Sequence, residues 1–274
     1  SGTILVNGES IMEQNPIDLR RGVGYAIQHI GLFPHMTVAD NIAVVPRLLN
    51  WDESDIDERI DELLQMVGLD SEEFRERYPS QLSGGQRQRI GVARCLAADP
   101  PVVLMDEPFG ALDAITREQL QEEFLELESR IQKTILFVTH DVFEAVKMGD
   151  RVVLMDAGQV QQIAEPAELV ENPANEFVDQ FLGQHRFQLS LLTRTVEMIV
   201  ERRPEKLEEE PPAEMPEDRI GVHDSLIRAL DVFKRTESEE LPVYRGKEYV
   251  GGLRREQLLD SIAGALQETG EENE

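Results

Sequence analysis

Leu82-Ser83-Gly84-Gly85-Gln86, followed further on by Val102-Val103-Leu104-Met105-Asp106-Glu107-Pro108, is the pair of stretches on which the fold and most of the function turn. The second stretch is an apolar run short enough for a buried strand. Buried parallel strands read as continuous apolar runs, and such sheets present their ligand sites at the carboxyl ends of their strands. Asp106 at that end can hold Mg2+ alongside phosphate oxygens and water. Glu107 beside it can orient, or take a proton from, a water that attacks a γ-phosphate. In the first stretch Ser83 can cap a helix, the two glycines allow close backbone approach, and the amides of the helix N-terminus point at an anion. His140 closes a second apolar run, Ile135 to Thr139, so it falls on the same sheet edge, where an imidazole can hydrogen-bond a phosphate oxygen. Taken singly, these features also fit a plain glycine turn, a solvated strand end and a structural histidine. The constellation is what points to a nucleotide. A GxxxxGK[ST] phosphate loop is missing from the 274 residues, and the one Gly-Lys pair, Gly246-Lys247, is followed by Glu248.

Outward from these stretches, a helix is expected from Ser83 through Ala98, broken by Pro100-Pro101. Val102 to Met105 then forms a strand, Thr116 to Gln132 an amphipathic helix, and Thr134 to Thr139 another strand. Strand, helix, strand implies a parallel sheet with a right-handed crossover. Upstream, Thr3 to Val6 runs into an Asn7-Gly8 hairpin turn, and Gly22 to Gln28 supplies a short strand. Thr37 through Gly68 has helical spacing, with Ile56, Ile60, Leu63, Leu64 and Val67 on one apolar face. Arg151 to Met155 adds a strand. After Gly183 the character changes. Residues 201 to 218 are rich in Glu and Pro and read as an extended linker. Beyond it, Ile220 to Val222, a helix from Ser225 to Thr236, strands at Leu241 to Tyr244 and Tyr249 to Leu253, and a helix from Arg255 to Leu266 make a βαββα unit. The expected division is a nucleotide-binding domain over 1–183, a connecting helix and acidic linker over 184–218, a small α+β unit over 219–267 and an acidic tail over 268–274.

Composition narrows the function classes. A net charge of −27 argues against a nonspecific grip on nucleic acid, which relies on Lys and Arg displacing counterions. The acidic excess, with lysines only at 133, 147, 206, 234 and 247, suits a salt-rich cytosol and equally an ordinary acidic soluble protein. The single cysteine, Cys95, reads as a small buried apolar residue in a reducing compartment. No apolar run approaches the ~20 residues needed to span a bilayer, and no signal peptide opens the chain. A membrane role is therefore expected to run through a partner.

Together these segments resemble the nucleotide-binding subunits of ABC transporters over roughly residues 1 to 183. The resemblance implies an α/β fold: a P-loop NTPase-like (RecA-like) parallel sheet core with an ABC helical subdomain. It implies that Glu107 is the catalytic glutamate and His140 the switch histidine. ATP is contacted through Gln28 of the Q-loop, Ser83, Gly84, Gly85 and Gln86 of the signature, Asp106 of Walker B and Asp113 of the D-loop, with Mg2+ on Gln28 and Asp106. It also implies a homodimer of head-to-tail nucleotide-binding domains, transmembrane permease subunits, indirectly a substrate-binding protein, and a peripheral place on the cytoplasmic face of the cell membrane.

Ile30-Gly31-Leu32-Phe33-Pro34-His35-Met36-Thr37-Val38, Val45 to Trp51, and Asp106-Glu107-Pro108-Phe109-Gly110-Ala111-Leu112-Asp113 look like the ATPases of importers for glycine betaine, carnitine and choline. Residues 219 to 266 resemble one cystathionine-β-synthase-type (CBS) motif, through Asp224-Ser225-Leu226, Leu241-Pro242-Val243 and Val250-Gly251-Gly252-Leu253. Such motifs work in pairs, and Arg186 to Arg203 is at most a degenerate second copy. A sensing role and a structural dimerisation role both stay open for it. Because the signature, Glu107 and His140 are intact while the phosphate loop is absent, an N-terminally incomplete ATPase chain, unable to bind MgATP tightly as it stands, is expected ahead of a native ATP-incompetent subunit. Two other readings remain: a noncatalytic regulatory fragment, and a nontransport ABC ATPase. The absence of a long coiled-coil insertion and of a basic patch counts against the latter.

Overall fold

The apolar run Val102–Asp106 is the middle strand of a three-stranded parallel sheet, flanked by Val23–Ala26 on one side and Thr134–Val138 on the other. The computed structural model describes residues 2–26, 31–110, 113–128, 131, 133–201 and 219–271, and the chain divides into units 1–140 and 141–274.

The first unit opens with a hairpin, β1 (Leu5–Val6) and β2 (Glu9–Ser10). Its turn is Asn7-Gly8, both at positive φ, 53° and 83°, the mirror-image turn that Asn-Gly favours. Helix α1 (Pro16–Arg21) starts where the Asn15 side chain accepts from the Ile17 amide and Pro occupies the first helical position. Strand β3 (Val23–Ala26) follows. The stretch expected to be helical from Thr37 to Gly68 is two helices, α2 (Val38–Leu48) and α3 (Glu53–Met66). Asn50 at φ 58° breaks the rod, a left-handed position that Asn tolerates better than most residues. Short α4 (Ser71–Phe74) leads to α5 (Gly84–Leu96), β4 (Val102–Asp106), α6 (Ala114–Glu128) and β5 (Thr134–Val138). The core takes Ile56, Ile60, Leu63 and Leu64 from the expected face of α3, joined by Ile42, Ile90 and Val103.

In the second unit, α7 (Val142–Met148) precedes β6 (Val152–Asp156), which pairs antiparallel with β7 (Gln159–Ala164). Helices α8 (Pro166–Glu171), α9 (Glu176–Gly183), α10 (Arg186–Thr193) and α11 (Val196–Glu201) come next. After the acidic segment lie β8 (Ile220–Gly221), α12 (Leu226–Thr236), β9 (Glu240–Arg245), β10 (Glu248–Arg254) and α13 (Arg255–Glu271). The β9–β10 pair is antiparallel, and β8 joins β9 in parallel. The expected βαββα order is present.

Gly183, after which a boundary is expected, falls within the second unit. Leu191 and Val196 are buried in one core with Ile220, Phe233, Val243 and Leu253, while Leu189, two residues before Leu191, belongs to a second core with Val146, Leu169 and Leu182. Helix α10 thus serves both cores. Thr195 bridges to Ser225, and the amides of Val196 and Glu197 donate to the carbonyls of Asp224 (2.9 Å) and Val222 (2.7 Å). Segments before and after 202–218 therefore pack into one body.

Candidate functional site

Asp106, Glu107 and His140 come together at the carboxyl ends of β4 and β5. Strand register places Asp106 opposite Val138, and the Glu107 amide extends the ladder by donating to the Val138 carbonyl at 2.8 Å. The backbone then turns into the left-handed region, with Glu107 at φ 42°. A non-glycine residue held there costs about 1–2 kcal/mol, so the surrounding structure is enforcing the position. The turn brings Glu107 Oε1 to 3.0 Å from His140 Nδ1. An ionised carboxylate only accepts, so Nδ1 carries the shared proton and Nε2 faces away from this contact. The imidazole side chain is 75% exposed and the carboxylate side chain 25%, which leaves the ring open to a ligand and the acid sheltered. Gly110 keeps this space free: a Cβ there would sit 3.2 Å from Glu107 Oε2.

The Asp106 side chain is half-buried, and among the described residues its carboxylate accepts no hydrogen bond and pairs with no cation. Uncommitted oxygens at a strand end fit a hard cation that takes one carboxylate and completes its shell with phosphate and water. Among the described residues no group of three or more His, Cys, Asp or Glu is placed to cage a metal ion. Gln28, the other expected Mg2+ ligand, lies outside the described residues, as do Ala111 and Leu112 of the D-loop.

The signature residues sit at the start of α5. Ser83 Oγ accepts from the Gln86 amide (3.2 Å) and Gln86 Oε1 accepts from the Ser83 amide (2.9 Å), a reciprocal capping box. The amides of Gly84 and Gly85 in that first turn have no helical carbonyl to bond and remain donors for an anion. Gly85 also packs on α6, since a Cβ there would lie 3.3 Å from Thr116 Cγ2. Thr116 in turn donates its amide and hydroxyl to Asp113, at 3.1 and 2.7 Å. Those two bonds, the hydroxyl's first, hold the Asp113 carboxyl below the usual carboxylate range. The expected ATP-contacting residues thus form two groups: Asp106, Glu107 and His140 on the sheet edge, and Ser83 to Gln86 with Asp113 where α5 meets α6.

Sequence reasoning missed two residues that fix the loop after Gln28. Asn41, fully buried on α2, accepts from the Phe33 amide (2.7 Å) and donates to the carbonyls of Phe33 (3.2 Å), Met36 (3.2 Å) and Thr37 (2.8 Å). Arg94 on α5 donates to the Gly31 carbonyl at 2.7 Å and lies 6.0 Å over the Phe33 ring, its pKa lowered by burial. A polar Asn on the apolar face of α2 was the one available signal.

Comparisons with known proteins converge on one family. The model described as "ABC transporter" matches residues 1–110. The glycine betaine/carnitine/choline transport ATP-binding protein OpuCA of Bacillus subtilis (strain 168) is 58% identical over 186 residues, 68% of this chain and 49% of its own length. The chain therefore spans about half the length of that relative. The glycine betaine uptake system ATP-binding protein YehX of Escherichia coli (strain K12) is 48% identical over 244 residues, 89% of this chain and 76% of its own length. Among solved structures, a dimeric ATP-binding cassette in a post-hydrolysis state with ADP and Pi aligns at TM-score 0.51 and 29% identity, covering 60% of this chain and 73% of that one. With a relative of that identity spanned over three quarters of its length, and with the acidic strand end, the histidine beside it and the capped glycine turn all in place, the chain belongs to the ATP-binding proteins of ABC transporters.

Proposed function

We propose that this chain is part of the ATP-hydrolysing subunit of an importer for glycine betaine or related quaternary-amine solutes. The observation that carries the catalytic part is the 3.0 Å contact between Glu107 and His140 at the ends of adjacent parallel strands. In the reaction, Glu107 orients the attacking water and accepts its proton as the water oxygen bonds to the γ-phosphorus and the bond to the ADP oxygen breaks. His140 keeps Glu107 in place through Nδ1, and its exposed ring can turn Nε2 to the γ-phosphate. The first-turn amides of Gly84 and Gly85 offer uncharged donors to phosphate oxygens. Mg2+, held on Asp106 with Gln28, would neutralise charge on the phosphates.

The substrate class is supported by the relatives above, whose names give glycine betaine, carnitine and choline transport. The pairing into a head-to-tail homodimer is supported by the dimeric cassette among the structural neighbours. Permease subunits would receive the loop pinned by Asn41 and Arg94, placing the protein peripherally on the cytoplasmic face of the membrane. Among the described residues no helix is long and apolar enough to cross one. Residues 219–267 are a CBS-like regulatory motif in this reading.

The test is ATP turnover in a chimera that joins a GxxxxGK[ST] strand, loop and helix ahead of residue 1. Glu107→Gln should retain ATP binding and lose turnover by about 100-fold or more, the scale of a removed general base. Near-normal turnover in Glu107→Gln would exclude Glu107 from the chemistry. For the solute, uptake of labelled glycine betaine by the assembled importer is expected, and competition by unlabelled choline but not by sulfate.

A further inference from the structure

Glu107-Pro108-Phe109-Gly110 is a turn closed by the Gly110 amide, which donates to the Glu107 carbonyl at 3.2 Å. Proline second and glycine fourth are residue choices of a type I turn. Glu107 is the strained member, and its φ of 42° has to be imposed by what surrounds it. His140 is a poor source of that restraint, because its side chain is 75% exposed and has little packed around it. On the strand side the imposing contact is the bond from the Glu107 amide to the Val138 carbonyl at 2.8 Å. On the turn side it is Phe109, the largest side chain of the four and only 3% exposed. Its ring lies 5.8 Å from Phe137 on β5, tilted by 40°, and 6.2 Å from Phe124 on α6, edge to face. Ring pairs at such separations attract beyond their burial alone.

The partner rings decide what this anchor controls. Phe137 stands on the same strand as Val138, and the chain runs on from that strand directly to His140. Phe109 therefore ties the turn to the element that leads to the histidine, and it does so two residues from the carboxylate. Asp106 has separate support, because it sits within the β4–β5 ladder opposite Val138. Being buried, Phe109 can act on the chemistry only through Glu107. We propose that Phe109 is a positioning residue for ATP hydrolysis: its ring, held between Phe137 and Phe124, keeps the left-handed backbone of Glu107 and with it the 3.0 Å contact to His140. The proposal rests on the reading of Glu107 as the group that orients the attacking water.

The main test involves no nucleotide and uses the chain as it stands. The proton of a neutral imidazole sits where the ring's hydrogen bonds put it, so nitrogen NMR of His140 at mildly alkaline pH reads the contact, with His140→Gln assigning the signal. The parent chain should carry the proton on Nδ1. Phe109→Leu, apolar but without a ring, should give a mixture with the proton partly on Nε2. Ile56→Ala, in the first turn of α3 and 1% exposed in the parent, destabilises the same unit from elsewhere and should keep Nδ1–H. Backbone restraint is read separately. Glycine at 107 gains over alanine only while the left-handed backbone is imposed, so the higher urea midpoint of Glu107→Gly over Glu107→Ala should vanish or reverse once Phe109→Leu is added. Should Phe109→Leu fail to fold, Phe137→Leu removes the β5 half of the clamp at a half-buried position and should act in the same direction. In the phosphate-loop chimera, Phe109→Leu should lower kcat by roughly tenfold to 100-fold, the scale of a misplacement of about 1 Å, and leave KM for ATP within about twofold. Nδ1–H retained in Phe109→Leu, Nδ1–H lost equally in Ile56→Ala, or a glycine advantage that survives Phe109→Leu overturns the proposal. Near-normal turnover in Glu107→Gln overturns it through the reading it rests on, and is told apart because the tautomer and midpoint results would then still hold.

Discussion

Replacing Glu107 by glycine should leave a more stable protein than replacing it by alanine. Both changes remove the carboxylate and its contact with His140, so the difference between them isolates the backbone at φ 42°. Holding a Cβ-bearing residue in the left-handed region costs about 1–2 kcal/mol, which glycine does not pay. Against this, glycine makes the unfolded chain more disordered, a penalty of about 0.4–1 kcal/mol relative to alanine. The balance favours Glu107→Gly over Glu107→Ala by roughly 0.5–1 kcal/mol, where an ordinary extended position would favour alanine. Urea unfolding followed by the fluorescence of Trp51, the only tryptophan and a residue of the first unit, reads the transition of the right body. Equal slopes with a higher midpoint for the glycine variant are expected. Alanine as stable as glycine, or more so, would refute the idea that the structure enforces this backbone at the expense of stability.

Asn41→Leu keeps the volume on α2 but strands the Phe33 amide and the Met36 carbonyl in a buried setting. A loss on the order of 3 kcal/mol by the same Trp51 measurement is expected, and a loss below about 1 kcal/mol would show that the loop does not depend on it. Cys95 gives the pH dependence. Burial raises its thiol to about 11 from 9.0, partly offset by the charge of Arg94 and a hydrogen bond from the Tyr25 backbone. A folded value above the unfolded one means stability that is complete below pH 9 and is lost as the pH climbs through 11. The advantage of the parent chain over Cys95→Ala should shrink by roughly 3 kcal/mol across that window. A pH-independent difference would contradict the burial argument.

Much of the candidate site on the sheet edge was legible because its signals are local and redundant. Val102 to Met105 is apolar throughout and stops at two acids, and the apolar run Ile135 to Val138 ends just before Thr139 and a histidine, so the parallel pair and its candidate ligand end follow from hydrophobicity alone. Ser83 and Gln86 carry both halves of a capping box at the right spacing. What failed was context. Strand β7 has glutamines at 159, 161 and 162 and no clean alternation, so only pairing with β6 makes it a strand. The left-handed backbone of Glu107 has no residue-type signal, because Gly or Asn is what such a position usually shows. The core shared by segments before and after the acidic stretch had no signal of its own for a related reason. Charge and proline density mark where a segment cannot build a core, but they say nothing about which flanking segments share one, and Leu189 and Leu191 on α10 face different cores.

That sharing has a practical outcome for the acidic stretch. The chain before it and the chain after it are already joined by the Thr195–Ser225 bridge and by the ion pair of Arg245 with Glu197 at 2.7 Å, so the contacts that hold this body together lie before and after the 202–218 connection. A single protease cut within it would convert the chain into two complementing fragments that co-elute in native buffer and separate only in denaturant. The same junction would accept an inserted reporter domain, or serve as new termini in a circular permutant, because the bonds that define the body lie on either side of it rather than along it.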